Sequence, residues 1–148
     1  MELKFDGKSI LSSDIKSTRS IIINTDNYEK LIPDLTAFTK SSKSSFDAKI
    51  KIPIGYFSAG FDIEGKLKET GKFELQISLI GHTIGSEMKT LLNITLKQQG
   101  KKTKLEWDAE VVLTGIAAAM DQQLLKGILK EKTDQIIQNL KKMLVDTE

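Results

Sequence analysis

The chain has 148 residues, 39% of them hydrophobic and 28% charged, with a net charge of +2, one histidine and no cysteine. That length fits a single domain over residues 1–148, able to bury roughly two-thirds of its unfolded surface, and the missing cysteines exclude disulfides, thiolate nucleophiles and sulfur-ligated metals. Of 22 basic residues only Arg19 is arginine, the side chain whose fork reads phosphates and bases, so nucleic acid is not an expected partner. Leu3 and Phe5 then alternate with Lys4 and Asp6, which predicts a strand with one solvated face. This start lacks the basic, apolar and small-residue segments of a secretory signal, and a cytoplasmic location is expected. Ser12 and Ser13 offer a cap for a short helix over residues 14–24, with Ile15, Ile22 and the stem of Arg19 on one side. The run Ile21, Ile22, Ile23 suits a strand equally well. Asp26 followed by Glu29 resembles a capping box, and Pro33 ends the short helix over 27–31.

A strand is expected over 35–40, then a polar turn over 41–45, then a meander. Phe46, Ala48, Ile50, Ile52 and Ile54 share one face of the next strand, against Asp47, Lys49 and Lys51. Past Gly55 the apolar face continues through Phe57, Ala59, Phe61, Ile63 and Leu67, and Thr70-Gly71 supplies a turn. Phe73, Leu75, Ile77 and Leu79 follow, Gly81 to Gly85 break the pattern, and Met88, Thr90, Leu92, Ile94 and Leu96 resume it. After a turn at Gln99-Gly100 come Leu105, Trp107, Ala109, Val111 and Leu113. Short connections make the sheet antiparallel, and strict alternation leaves one face in water.

From Gly115 the period becomes helical, with Met120, Leu124, Leu125, Ile128, Leu129, Ile136, Leu140 and Leu144 on one stripe. A helix of about thirty residues spans roughly 45 Å, as much as the longest strand. The strands offer many more inner-face apolar side chains than this stripe. Either the concavity encloses a ligand, or twist and the short helices fill it as an ordinary core. The longest apolar stretches are too short to span a membrane.

The segment Ile52-Pro53-Ile54-Gly55-Tyr56-Phe57-Ser58-Ala59-Gly60-Phe61-Asp62-Ile63-Glu64-Gly65 resembles the central motif of the CoxG family of carbon monoxide dehydrogenase subunits, whose Gly-x5-Phe-x3-Gly pattern it keeps. Asp26 with Leu31-Ile32-Pro33 is similar to that family's Asp-to-Leu-Pro-Gly segment, and Gly127 and Ile136 fall where its last helix carries a glycine and an aromatic. The resemblance covers essentially the whole chain. It departs at Asp34, where a glycine is usual, at Ile136, which replaces a larger aromatic, and in lacking a tryptophan in the first helix. The chain ends at Glu148, short of the extended tail of longer members, so no membrane anchor is expected. The family falls within the START and polyketide-cyclase-like (SRPBCC) superfamily. The resemblance therefore implies an α+β helix-grip fold: a curved seven-stranded antiparallel sheet around a long C-terminal helix, with two short helices after the first strand. It also implies binding of a hydrophobic small molecule or lipid, a quinone or isoprenoid for example, and an accessory role beside an oxidoreductase of the molybdenum hydroxylase type. No cofactor is implied.

On that reading the cavity wall is expected to hold Phe46, Ile50, Phe57, Phe61, Ile77, Leu92, Trp107, Met120 and Leu124. Pro53, Gly55 and Tyr56 are expected at its rim. The inner-face aromatics are core or cavity wall by sequence alone, and the Trp107 indole N–H needs a partner if buried. Nothing in the sequence points to catalysis or to a metal site. His82 falls near a strand end at surface parity, Ser58 lacks the spacing of a nucleophile elbow, and Asp62, Glu64, Glu106, Asp108 and Glu110 share the solvated face. The leading expectation is a non-enzymatic carrier or sensor. The alternatives are a protein-interaction module or maturation factor, and a cyclase or dehydratase using Tyr56 or His82.

Overall fold

The computed structural model describes residues 1–54 and 56–146, the side chains of Ile54, Phe57 and Asp146 excepted. The alternating segments form strands β1 (Glu2–Leu11), β2 (Leu35–Ser42), β3 (Ser45–Ile54), β4 (Phe57–Gly71), β5 (Glu74–Thr83), β6 (Ser86–Gln99) and β7 (Lys102–Gly115). All seven join one antiparallel sheet in the order β1-β7-β6-β5-β4-β3-β2. The meander follows from two-residue turns such as Lys43-Ser44, Lys72-Phe73, Ile84-Gly85 and Gly100-Lys101. Two turns thus fall later than the sequence suggests: Gly71 remains paired with Glu74, and Gln99 with Lys102. Gly81 breaks nothing, since it pairs with both Met88 and Ile63.

The helices are α1 (Ile15–Ile22), α2 (Tyr28–Leu31) and α3 (Gln122–Asp146). Ile21 and Ile22 are buried at the end of α1, which resolves the helix-or-strand choice in favour of helix. Asp14, not Ser12 or Ser13, caps α1: its carboxylate accepts from the Ser17 backbone N–H at 2.8 Å and the Ser17 hydroxyl at 2.9 Å. Ser13 is buried, and its carbonyl accepts from the Thr103 hydroxyl. The Asp26 capping box does not form either. Asn24 caps the 3-10 turn Thr25–Asn27, while the Asp26 carboxylate lies 2.9 Å from Lys40 Nζ.

The largest shift is at the start of α3, which begins at Gln122 and not at Gly115. Gly115 has φ +78°, and a Cβ there would lie 2.0 Å from the Gly85 carbonyl oxygen, so only glycine fits. Ile116–Ala119 make a single 3-10 turn, held by Ile116 N–H donating to Gly85 O and Ala117 N–H donating to Ser86 Oγ. Asp121 then accepts from the Leu124 N–H at 2.9 Å and starts a helix of 25 residues, about 37 Å long.

Burial follows strand parity. Phe46, Ala48, Ile50 and Ile52 of β3 and Leu105, Trp107, Ala109, Val111 and Leu113 of β7 are buried. The main core joins these strands to Ile21, Ile22, Tyr28 and Leu31 of the short helices and to Leu140 and Leu144 of α3. A second cluster, with Leu3, Met88, Val111, Leu113 and Leu125, seals the end where α3 begins. Two glycines let large rings lie flat across the sheet. Gly65 stands opposite Phe46, and Gly7 opposite Trp107; a Cβ would come within 2.2 Å of the first ring and 2.5 Å of the second.

Candidate functional site

Side chains fill most of the concavity and leave an internal cavity of about 240 Å³ between the sheet, the α2–β2 connection and α3. Its wall is almost entirely apolar. Phe46, Ile50, Ile77, Leu92 and Trp107, five of the nine side chains named from the sequence, line it. They do so because they share inner-face parity on strands that α3 covers. An engineered cavity of about 150 Å³ lined by aliphatic and aromatic groups stays dry and takes benzene. By that scale this one holds roughly ten non-hydrogen atoms.

The other expected residues lie elsewhere. In β4, residues before Asp62 pair only with β3, because β5 pairing begins at Asp62 with His82; this hairpin overhangs its neighbour. Phe61, on the overhang, is half-buried and packs on the main core without reaching the cavity. Tyr56 is fully exposed and Pro53 exposed, and neither lines the cavity. Gly55 and the Phe57 side chain lie outside the described residues. Met120 precedes α3 and packs between the two core clusters. Leu124 points outward, 49% exposed, because the cap at Asp121 sets a helical phase that turns Leu125 and Leu129 inward instead.

Among the lining residues that the sequence did not mark for the site, Tyr28, Thr133, Asp34 and Lys132 carry polar groups. Tyr28 of α2 is buried in the wall, packs edge-on against Phe46 with centroids 5.3 Å apart, and donates its hydroxyl to Ile22 O at 2.7 Å. Burial pushes this phenol well above its ordinary pKa, so it stays neutral. Thr133 of α3 also lines the cavity, with its hydroxyl donated to Leu129 O. Asp34 and Lys132 form an ion pair in the wall, Lys132 Nζ lying 2.6 Å from Asp34 Oδ2. The two side chains are only 26% and 16% exposed, and Asp34 Oδ2 itself is sealed from solvent. Asp34 holds φ +63°, a conformation that costs a non-glycine residue of order 1 kcal/mol or more. The sequence did carry a signal for this pair. Lys132 stands four residues from both Ile128 and Ile136, inside the apolar stripe, and Asp34 follows a proline where the resembled family has glycine.

Trp107 is 7% exposed, and its Nε1 has no hydrogen-bond partner among the described residues. The nitrogen edge lies over Gly7, and Phe5 packs edge-on against the ring at 5.7 Å. The indole therefore offers the cavity its carbon surface.

The sequence-named candidates for acid and base work do not line this space. His82 is half-exposed on β5, with Nδ1 3.6 Å from Glu87. Glu106 is held below the usual carboxylate range by hydrogen bonds from Lys104 and Lys97, and Glu110 by one from Lys4, the reverse of what a general acid requires. Among the described residues, no three His, Cys, Asp or Glu side chains gather to hold a metal ion, and no helix is long and apolar enough to cross a membrane.

Comparison with solved structures places this geometry in a wide group. A conserved protein from Geobacillus kaustophilus superposes with TM-score 0.88 at 16% identity, over 98% of this chain and 97% of that one. A START superfamily protein from Mycobacterium smegmatis gives TM-score 0.77 at 12% identity over 98% and 99%. The Zhui aromatase/cyclase from Streptomyces sp. R1128 gives 0.70 at 6% identity over 97% and 94%. At these identities the likeness is one of fold, and that fold is the helix grip. No curated protein sequence matches the chain. The sequence itself matches the profile of the carbon monoxide dehydrogenase CoxG family over residues 8–145, from within β1 to the last turn of α3. The motif from Ile52 to Gly65 and the strands-then-helix order thus belong to one pattern, and the chain is a member of the CoxG family of carbon monoxide dehydrogenase subunits.

Proposed function

We propose that this protein is a cytoplasmic, non-enzymatic carrier or sensor that binds a hydrophobic small molecule, or one segment of a lipid, between its sheet and α3. The observation that carries this reading is the apolar cavity of about 240 Å³. Burial there stabilises a ligand by about 25 cal/mol per Å² of apolar surface removed from water. The cavity is smaller than most small-molecule sites, which run from roughly 300 Å³. A long quinone or isoprenoid chain therefore requires α3 and the Ile32–Asp34 segment to move apart. The absence of His82, Tyr56 and the strand carboxylates from the cavity wall supports binding over catalysis.

Native mass spectrometry of the purified protein, followed by organic extraction, tests the reading. The expected result is a retained hydrophobic mass, and thermal stabilisation of the emptied protein by quinones, fatty acids or isoprenoids; ligand at a hundred times its Kd stabilises by about 2.7 kcal/mol. An empty protein that none of these stabilises overturns it.

The family suggests a second role, attachment to an oxidoreductase of the carbon monoxide dehydrogenase type. Ile84 and Ile116 favour it: they are 97% and 69% exposed and neighbours across Gly85, an apolar spot beside the start of α3. The double substitution Ile84→Lys, Ile116→Lys is expected to abolish association with that enzyme and leave ligand binding intact. Unchanged association counts against docking through this spot.

A further inference from the structure

Strand β1 is a free edge of the sheet, pairing with β7 on one side and with no strand on the other among the described residues. Sheet edges are commonly blunted by bulges or by like charges. The opposite edge, β2, follows that rule, with register shifts between Leu35 and Ala37 and between Lys40 and Ser42. β1 does not. It keeps register with β7 throughout, and its exposed side chains Glu2, Lys4, Asp6 and Lys8 alternate in sign. From this edge we infer that the protein forms a two-fold dimer in which β1 pairs antiparallel with β1 of a second copy, so that one sheet runs through both.

The main chain is turned the right way for such pairing. Met1 and Leu113 exchange both hydrogen bonds, at 2.9 and 2.8 Å, which sets the alternation of the ladder. Odd residues of β1 therefore bond to β7, and the N–H and C=O groups of Glu2, Lys4, Asp6 and Lys8 point away from it. Helix α3 leaves this edge open, with a groove of about 660 Å³ between them beside Lys4, Phe5 and Asp6. Outward groups must meet outward groups, which leaves few registers. With Phe5 opposite Phe5 of the second copy, Glu2 meets Lys8 and Lys4 meets Asp6, and the two-fold repeats both pairs. Every charged side chain of the strand then faces its opposite. Centring on Lys4 or on Asp6 sets like charges against each other, and centring on Gly7 keeps only the Asp6–Lys8 pairs. The second copy also answers charges that β7 does not. Asp6 stands opposite Asp108, and Lys8 opposite a Glu106 already held by Lys97 and Lys104 at 3.1 Å. Lys126 and Lys130 flank the groove from α3; both are exposed, so their ammonium groups stay in water as the second copy enters.

A single strand pair is a small interface, and the dimer is expected to be concentration-dependent. Sedimentation velocity from about 10 μM to about 1 mM follows its formation. Hydrogen exchange reads its geometry, because the amides of Lys4, Asp6 and Lys8 face water in the monomer and become protected in the dimer. The double variant Lys4→Glu, Lys8→Glu makes the strand uniformly acidic, and Glu2→Lys, Asp6→Lys makes it uniformly basic. Each alone is expected to dimerise at least roughly ten-fold more weakly, and an equimolar mixture to restore association. A parent protein that sediments as a monomer throughout overturns the inference. So does a dimer in which those amides exchange freely, one that the charge variants leave unchanged, or a mixture of folded variants that stays monomeric. Should the variants fail to fold, exchange at the three amides of the parent decides alone.

Discussion

Gly65 shows how a single residue type decides the shape of the site. Without a side chain at 65 the Phe46 ring lies across β4 and becomes both core and cavity wall; a methyl group would meet it at 2.2 Å. Gly65→Ala is therefore expected to cost about 1–3 kcal/mol in urea denaturation, the cost of overpacking. Gly60→Ala on the same strand, where the nearest atom is 4.0 Å away, should have little effect. Asp14 supports a prediction of a different kind. The Ser17 backbone N–H and hydroxyl hold its carboxyl below the usual range, so its contribution to stability is complete above the unfolded pKa and is lost as pH falls through the folded one. Asp14→Ala should lower the melting temperature at neutral pH, and the gap from the parent should close below about pH 4. A gap that stays constant with pH would rule out the charged cap. Neither contact was legible in the sequence, because Gly65 read only as the last residue of the motif from Ile52 and the serines before Asp14 read as the cap. Ring packing across strands and side-chain direction decide both, and neither has a local signature.

Among the elements, the strands were the most legible and the last helix the least. Period-two alternation is imposed by geometry on any sheet with one buried face, so parity alone assigned Phe46, Ile50, Ile77, Leu92 and Trp107 correctly to the inside. The helix phase was set by something else. Residues 116–120 fit a helical pattern, yet hydrogen bonds to Gly85 and Ser86 hold 116–119 in a tight turn, and α3 starts afresh at the Asp121 cap. That restart moves Leu124 from the cavity wall to the surface. Leu124→Ala should accordingly change stability by no more than about 0.5 kcal/mol. Leu140→Ala, on a side chain only 4% exposed in the main core, should cost about 2–5 kcal/mol. Equal effects of the two substitutions would contradict the phase of α3.

At the scale of the molecule, capacity depends on how much of the concavity the helices fill. Ile22, Tyr28 and Leu31 intrude from the short helices and reduce a space that strand counting makes large to about 240 Å³. Thr90→Ile places additional carbon in that space at a strand position that favours β-branched residues. It should raise the melting temperature of the empty protein and weaken binding of any ligand that fills the cavity. A variant that binds as before would show that the ligand sits elsewhere. The sequence by itself determined the order of elements, the face each strand buries and the family, because periodicity, turn residues and the motif from Ile52 to Gly65 are local properties of the chain. Only the tertiary structure decided which inner-face residues meet an empty space. It alone showed that the β3–β4 overhang carries Phe61 and Tyr56 away from that space, and that Asp34 and Lys132, 98 positions apart, close on each other in its wall. These depend on strand stagger and helix phase, which arise from contacts between distant segments.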